Sequence, residues 1–261
     1  MIYKETFKIG LKDVWSKNEV SNIAILEYLE DIAAYHSDSV GIGINTTKET
    51  HLNWLLLDWE LEVLKRPTYG QVLEIHTWSR GIEKFYAYRD FEVYDEKKNL
   101  CAIATSKWLL VDSQTEKIAR VEQEMADRYK SETEKAVFKD KKIEKIREPK
   151  EYLSEMLYTT RRRDIDVIGH MHNLYYLYLA YEALPEEEYS KRPFNHIRIQ
   201  YKNQIKLGDT VKCKYAKENG ENIIVIKSEN EKILHAIIKL NWKLGRMCKV
   251  KKEKLNLTFF M

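Results

Sequence analysis

The chain has 261 residues, 44% of them apolar and 33% charged, with a net charge of +3. This is the make-up of a globular protein of one large or two small domains, and it excludes disordered and fibrous classes. No apolar run approaches the roughly 18 residues of a membrane span, Met1 to Lys12 lacks a signal-like apolar core, and so small a charge does not argue for nucleic acid. A cytoplasmic protein with no membrane or nucleic-acid partner is expected. Cys101, Cys213 and Cys248 form no C-x-x-C pair and leave an odd count, so neither a disulfide framework nor a zinc cage is suggested. Cys213 reads as strand core, and no metal or cofactor is expected.

The first element, Ile2 to Ile9, alternates as an edge strand. Ser16 to Glu19 has capping-box spacing, and Ile25, Leu29, Ile32, Ala33 and His36 fall on one helical stripe, which predicts a helix from about Asn18 to Tyr35. From Asn53 the period changes to two. Runs over Leu55 to Val63, Leu73 to Thr77, Phe85 to Val93 and Leu100 to Val111 are separated by turn signals and predict an antiparallel meander. Trp54, Trp59, Trp78 and Trp108 lie in it, and core and face packing is expected for at least three. Gln114 to Lys150 turns charged and loses its apolar stripe after Val137, as a linker would. The pattern then restarts: a strand over Glu151 to Arg162, a helix over Asn173 to Leu184 stopped at Pro185, and strands over Asn195 to Tyr201, Val211 to Tyr215, Asn222 to Lys227 and Lys232 to Lys243.

The second half repeats the first. Gly70 and Gly208 each open the second long strand, and Ala102 to Trp108 has the spacing of Ala236 to Trp242. Overlaying the halves puts Asp13 on Asp164, Trp15 on Asp166, Glu19 on His170 and Asn22 on Asn173, so only the second half has both the acid and the histidine. The expected organisation is an N-terminal module over 1–125 shaping a pocket, a linker over 126–150, a C-terminal module over 151–250 bearing the chemistry, and a tail over 251–261.

The chemistry should lie in Arg163 to Tyr176, where Asp164, Asp166, Gly169, His170, His172 and Asn173 crowd against the start of an apolar helix. A polar cluster there is either a capping cluster or a catalytic one, and spacing alone leaves the two open. The first-turn amides near Met171 to Asn173 offer donors to an anion. The segment resembles the second active-site half of the acyl-acyl carrier protein (acyl-ACP) thioesterases, whose pattern is D-x-N-x-H-V-N-N. It also resembles the hot-dog thioesterase loop D-x-D-x-x-G-H-x-x-N-x-x-Y, which Asp164, Asp166, Gly169, His170, Asn173 and Tyr176 match. Trp54 to Leu57, Arg66-Pro67, Glu74 to Trp78, Arg89-Asp90-Phe91 and Ser106 to Trp108 are placed as in that family.

The resemblance implies an α+β tandem hot-dog, each module a curved antiparallel sheet around one long helix. It implies hydrolysis of the thioester between a fatty acyl chain and the phosphopantetheine arm of ACP, with ACP as partner to a monomer or homodimer. Asp166, as base or nucleophile, and His170 are the implied catalytic residues. Where the family has asparagine and glutamate this chain has Ile168 and Gln204, and His172 replaces a second asparagine and is expected to take over one role. Asn173 and Ile168 are expected to contact substrate, and Arg161 and Arg163, on one face of a strand, to meet the acidic carrier. An acyl-CoA thioesterase and a non-catalytic acyl-binding protein are the alternatives.

Overall fold

A computed structural model describes residues 1–83, 85–115, 117–139 and 143–243. Cys248, residues 244–250 of the expected second module and the expected tail over 251–261 lie outside the described residues. The strands are β1 (Tyr3–Lys8), β2 (Leu52–Val63), β3 (Val72–Glu83), β4 (Tyr86–Tyr94), β5 (Leu100–Asp112), β6 (Lys117–Ile118), β7 (Ser154–Thr159), β8 (His196–Tyr201), β9 (Thr210–Glu218), β10 (Glu221–Ser228) and β11 (Leu234–Asn241). The helices are α1 (Asn22–Ser39), α2 (Thr47–Thr50), α3 (Gln123–Arg128), α4 (Asn173–Glu182) and α5 (Glu186–Tyr189).

All the strands join one sheet, in the order β1-β3-β4-β5-β2-β8-β11-β10-β9-β7, with β6 beside β5. Read from its far end, β7-β9-β10-β11-β8 repeats β1-β3-β4-β5-β2, so the duplication seen in sequence is a duplication of topology. The halves meet where β2 pairs antiparallel with its counterpart β8, from Asp58↔Gln200 to Glu62↔His196. Two equivalent strands running antiparallel relate the halves by an approximate twofold axis. At this joint Gln200 Nε2 donates to Asp58 Oδ1 at 2.8 Å, both side chains being buried. One apolar core runs through both halves, with Leu29 and Ile32 of α1 and Leu177 and Ala180 of α4 fully buried against strands such as β2, β3, β8 and β11. The chain thus adopts the tandem hot-dog of the expected α+β class.

Several local expectations are corrected. Helix α1 starts at Asn22 rather than Asn18, because Asn18 has φ of +60° and the strand-like bridge Val14↔Val20 occupies the approach. The cap is Ser21, whose side chain accepts from Ala24 N at 3.0 Å. Strand β7 is shorter than expected, and Arg162–Asp164 form a 3₁₀ turn, so strand alternation does not sort Arg161 from Arg162. The segment read as a linker is docked on the sheet. Lys135 O accepts from Trp78 Nε1 at 2.9 Å, Asp90 Oδ2 accepts from Val137 N at 3.0 Å, and Ile146 packs on Ile223, Val225 and Ile237. Trp59 and Trp78 are fully buried and Trp108 packs against the core, as expected for three of the four, while Trp54 and Trp108 also line a cavity. Cys101 and Cys213 are buried, and burial pushes their thiols up to about 11 and about 12, which leaves them unreactive.

Candidate active site

The segment Asp164 to His172 is a tight loop laid between β7 and α4. Asp164 is fully buried and clasps it, its Oδ2 accepting from Arg161 N at 2.7 Å and Tyr158 Oη at 2.6 Å. The first half has a similar clasp with its tyrosine supplied by α1 instead of a strand: Asp13 Oδ2 accepts from Gly10 N at 2.7 Å and Tyr28 Oη at 2.6 Å. Asp166 N donates to His170 O at 2.8 Å, as Trp15 N does to Glu19 O at 2.9 Å. The turn between them needs a left-handed residue, supplied by Gly169 at φ +90° and by Asn18 in the first half. Asp164 is therefore structural, and the two loops share one backbone and differ in side chains.

The loop closes the mouth of a cavity of about 260 Å³ whose walls otherwise come from the N-terminal half. Asp166, Ile168, His172 and Asn173 line it from the loop, facing Glu30, Asp31, Ala33 and Ser37 of α1, with Trp54, Arg89 and Trp108 from the sheet. Asp166 Oδ1 accepts from Ile168 N at 2.9 Å and His170 N at 3.2 Å, which fixes the carboxylate against its own turn. His172 is the N-cap of α4, its Nδ1 accepting from Leu174 N at 3.3 Å, so the neutral ring carries its hydrogen on Nε2. That atom is 3.7 Å from Glu30 Oε2. On the far wall Arg89 Nη1 lies 2.8 Å from His36 Nδ1, and burial together with the Arg89 charge pushes His36 down to about 3, leaving it a neutral acceptor.

The expected residues do not all converge. Asp166, His172, Asn173 and Ile168 meet at the cavity, with Ile168 54% exposed at the rim. His170 is half-buried behind the loop, where its main chain holds Asp166 and bridges Lys206; its ring is not among the cavity-lining groups. Gln204 opens on a separate hollow with Asn203, Asp209 and His235, so it does not stand in for a second carboxylate at the cavity. Arg161 and Arg163 flank another groove with Tyr158, Tyr175 and Tyr178. Nor are the first-turn amides free as a set: Met171 N donates to Ile205 O and His172 N to Asp164 O, both at 2.8 Å.

Sequence reasoning missed Glu30. Its signal was present, since Glu30, Ala33, Ala34 and Ser37 stand at i, i+3, i+4 and i+7, a stripe of small residues that leaves space beside one acid. Burial raises the Glu30 carboxyl to about 8; Asp31 and Glu27 add to the rise, while Trp59 and Asn173 oppose it.

Family models for the acyl-ACP thioesterase N-terminal domain and C-terminal domain match residues 1–129 and 130–244. Oleoyl-acyl carrier protein thioesterase 1 of Arabidopsis thaliana is 26% identical over 80% of this chain, and dodecanoyl-[acyl-carrier-protein] hydrolase of Umbellularia californica is 23% identical over 78%. Both are chloroplastic, and the chain spans 62% and 56% of their respective lengths. Among solved structures, an acyl-ACP thioesterase from Bacteroides thetaiotaomicron superposes with a TM-score of 0.81 at 19% identity, covering 93% of this chain and 98% of that one. The 12:0-ACP thioesterase from Umbellularia californica superposes at 0.79 with 19% identity, covering 93% and 97%. With the two domain models meeting end to end over nearly its whole length, on a duplicated fold those structures share, the chain belongs to the acyl-ACP thioesterase family.

Proposed function

We propose that the protein hydrolyses the thioester of a fatty acyl chain on the phosphopantetheine arm of ACP, releasing free fatty acid and ending chain elongation. The observation that carries this reading is the meeting of Asp166, His172 and Asn173, all from the C-terminal half, at the mouth of a cavity built by the N-terminal half. The acyl chain occupies that cavity and the thioester sits at the loop. Asp166, with Oδ1 committed to two amides, uses Oδ2 to take a proton from the attacking water. His172 and Asn173 hold the water and the thioester, His172 standing in for the amide that Ile168 lacks. Arg161 and Arg163, exposed beside the loop, receive the acidic carrier. No helix among the described residues is long and apolar enough to cross a membrane.

Free-thiol release measured side by side on acyl-ACP and acyl-CoA tests the reading. Wild type should favour acyl-ACP, and Asp166→Asn should lower turnover by at least about a hundredfold. The Tm should hold, because an asparagine Oδ1 still accepts from both amides. A fully active Asp166→Asn variant would remove Asp166 from the chemistry, and equal use of acyl-CoA would remove ACP as the defining substrate.

A further inference from the structure

A thioester oxygen gains negative charge as its carbon is attacked, and an enzyme that hydrolyses it must hold donors at that oxygen. In this loop most of the backbone is already committed. The amides of Ile168 and His170 donate to Asp166 Oδ1, that of Gly169 to Asp166 O, those of Met171 and His172 to Ile205 O and Asp164 O, and that of Leu174 to His172 Nδ1. The amides of Val167 and Asn173 and the Asn173 side chain remain on the loop side of the cavity, and a donor from the opposite wall would complete the set.

Glu30 stands opposite, on α1 of the other half. Its side chain is 14% exposed, lines the same cavity as Asp166, His172 and Asn173, and has Oε2 3.7 Å from His172 Nε2. Its Oε1 is buried with no hydrogen-bond partner among the described residues. The Trp59 and Asn173 side chains favour its charged form but do not offset its burial, and a neutral carboxylic acid there is a hydrogen-bond donor with an open acceptor position beside it. We infer that Glu30 is a further catalytic residue, a protonated carboxylic acid that donates a hydrogen bond to the thioester carbonyl oxygen from the face opposite Asp166. This rests on the thioester-hydrolysis reading above.

Charge balance follows simply. Water adds to the carbonyl carbon, Asp166 takes its proton, the carbon–sulfur bond breaks, and the departing thiolate receives that proton from Asp166. Glu30 keeps its own proton throughout. The groups facing it are Glu27 and Asp31 on its own helix, His172 at the start of α4, Tyr201 on β8 and, across the cavity, Asp166. Burial raises its carboxyl most, Asp31 and Glu27 add to the rise, and the Trp59 and Asn173 side chains and a protonated His172 oppose it, so the donor form holds until pH passes about 8.

The test compares wild type, Glu30→Gln and Glu30→Ala on acyl-ACP from pH 6 to pH 10. The alanine variant should lose about a hundredfold in kcat, the usual cost of one oxyanion donor, and the glutamine variant less than about tenfold, since an amide still donates. Wild-type kcat should fall as pH rises through about 8, and the glutamine variant should lack that alkaline limb. An alkaline limb that persists in Glu30→Gln, or equal losses in both variants, would overturn the assignment. A non-hydrolysable ketone analogue of acyl-ACP, with methylene for sulfur and ¹³C at the carbonyl, gives a readout independent of turnover. Its resonance should lie downfield in wild type relative to Glu30→Ala, and an identical shift in the two overturns the donor role. If the analogue's shift depends on Glu30 while wild type hydrolyses neither acyl-ACP nor acyl-CoA, the donor stands and the thioesterase reading fails.

Discussion

Three substitutions separate the first loop from its counterpart at the cavity mouth. Trp15 stands where the second loop has Asp166, and its ring packs edge-on against Tyr181 of α4 with centroids 5.0 Å apart, under the guanidinium of Arg192. Asn22 stands where the second half has Asn173, but it is fully buried, donating to Tyr181 Oη and Phe194 O and accepting from Arg66. Glu19, the counterpart of His170, holds its turn through its main chain, Trp15 N donating to Glu19 O at 2.9 Å. Aromatic packing has thus filled in the first half the position that Asp166 holds at the cavity in the second. Residue-level electrostatics also separates docking from structure at Arg161 and Arg163. Arg163 lies 3.5 Å from the buried Asp164 carboxylate, so charge reversal there would disturb the clasp, and neutralisation is the cleaner probe. Arg161→Gln with Arg163→Gln should raise KM for acyl-ACP and flatten its salt dependence, while KM for a short acyl-CoA moves little. Equal losses on both substrates would make the pair structural.

Among the elements, the β2–β8 joint decides whether the halves share one site. It places the cavity of the first half beside the loop of the second, and polar side chains hold its register. Asp58 and Gln200 are 6% and 4% exposed, and burial raises the Asp58 carboxyl above its ordinary value, opposed by the Gln200 amide and nearby lysines and Arg198. Removing one partner strands the other. Asp58→Ala should cost about 1–3 kcal/mol in urea unfolding, and Asp58→Leu with Gln200→Leu should recover much of that, because no buried polar atom is then left unpaired. A neutral single variant would mean water satisfies the joint.

For the molecule as a whole, the shared core and the single sheet make the halves one cooperative unit. Apolar side chains of α1 and α4 belong to one cluster with strands from both halves. The segment between the halves is bound to the sheet rather than free. Calorimetric unfolding should accordingly give one transition whose van't Hoff and calorimetric enthalpies agree. Two resolved transitions would show that each hot-dog keeps its own core, and that the site depends on docking between separately stable modules.

What the sequence determined by itself is whatever is written along the chain within a few residues. Period-two runs marked the strands, the spacing after Gly70 and Gly208 marked the repeat, and Asp164 to Asn173 marked the loop, because pleat, turn and cap each respond to near neighbours. The Asn18 turn was misread as helix since a capping-box spacing is also compatible with a left-handed turn ahead of the true cap at Ser21. Only the tertiary structure decided which acid faces which histidine. Glu30 and His172 are far apart in sequence and meet because β2 lies against β8, and Gln204 is turned to another hollow by the β8–β9 connection. The fate of the loop amides was likewise decided by acceptors on Ile205 and Asp164, which the fold brings within hydrogen-bond distance. A cavity is the space that several elements leave unfilled between them, so no local pattern specifies it, and the chemistry at its mouth is a property of the assembled sheet.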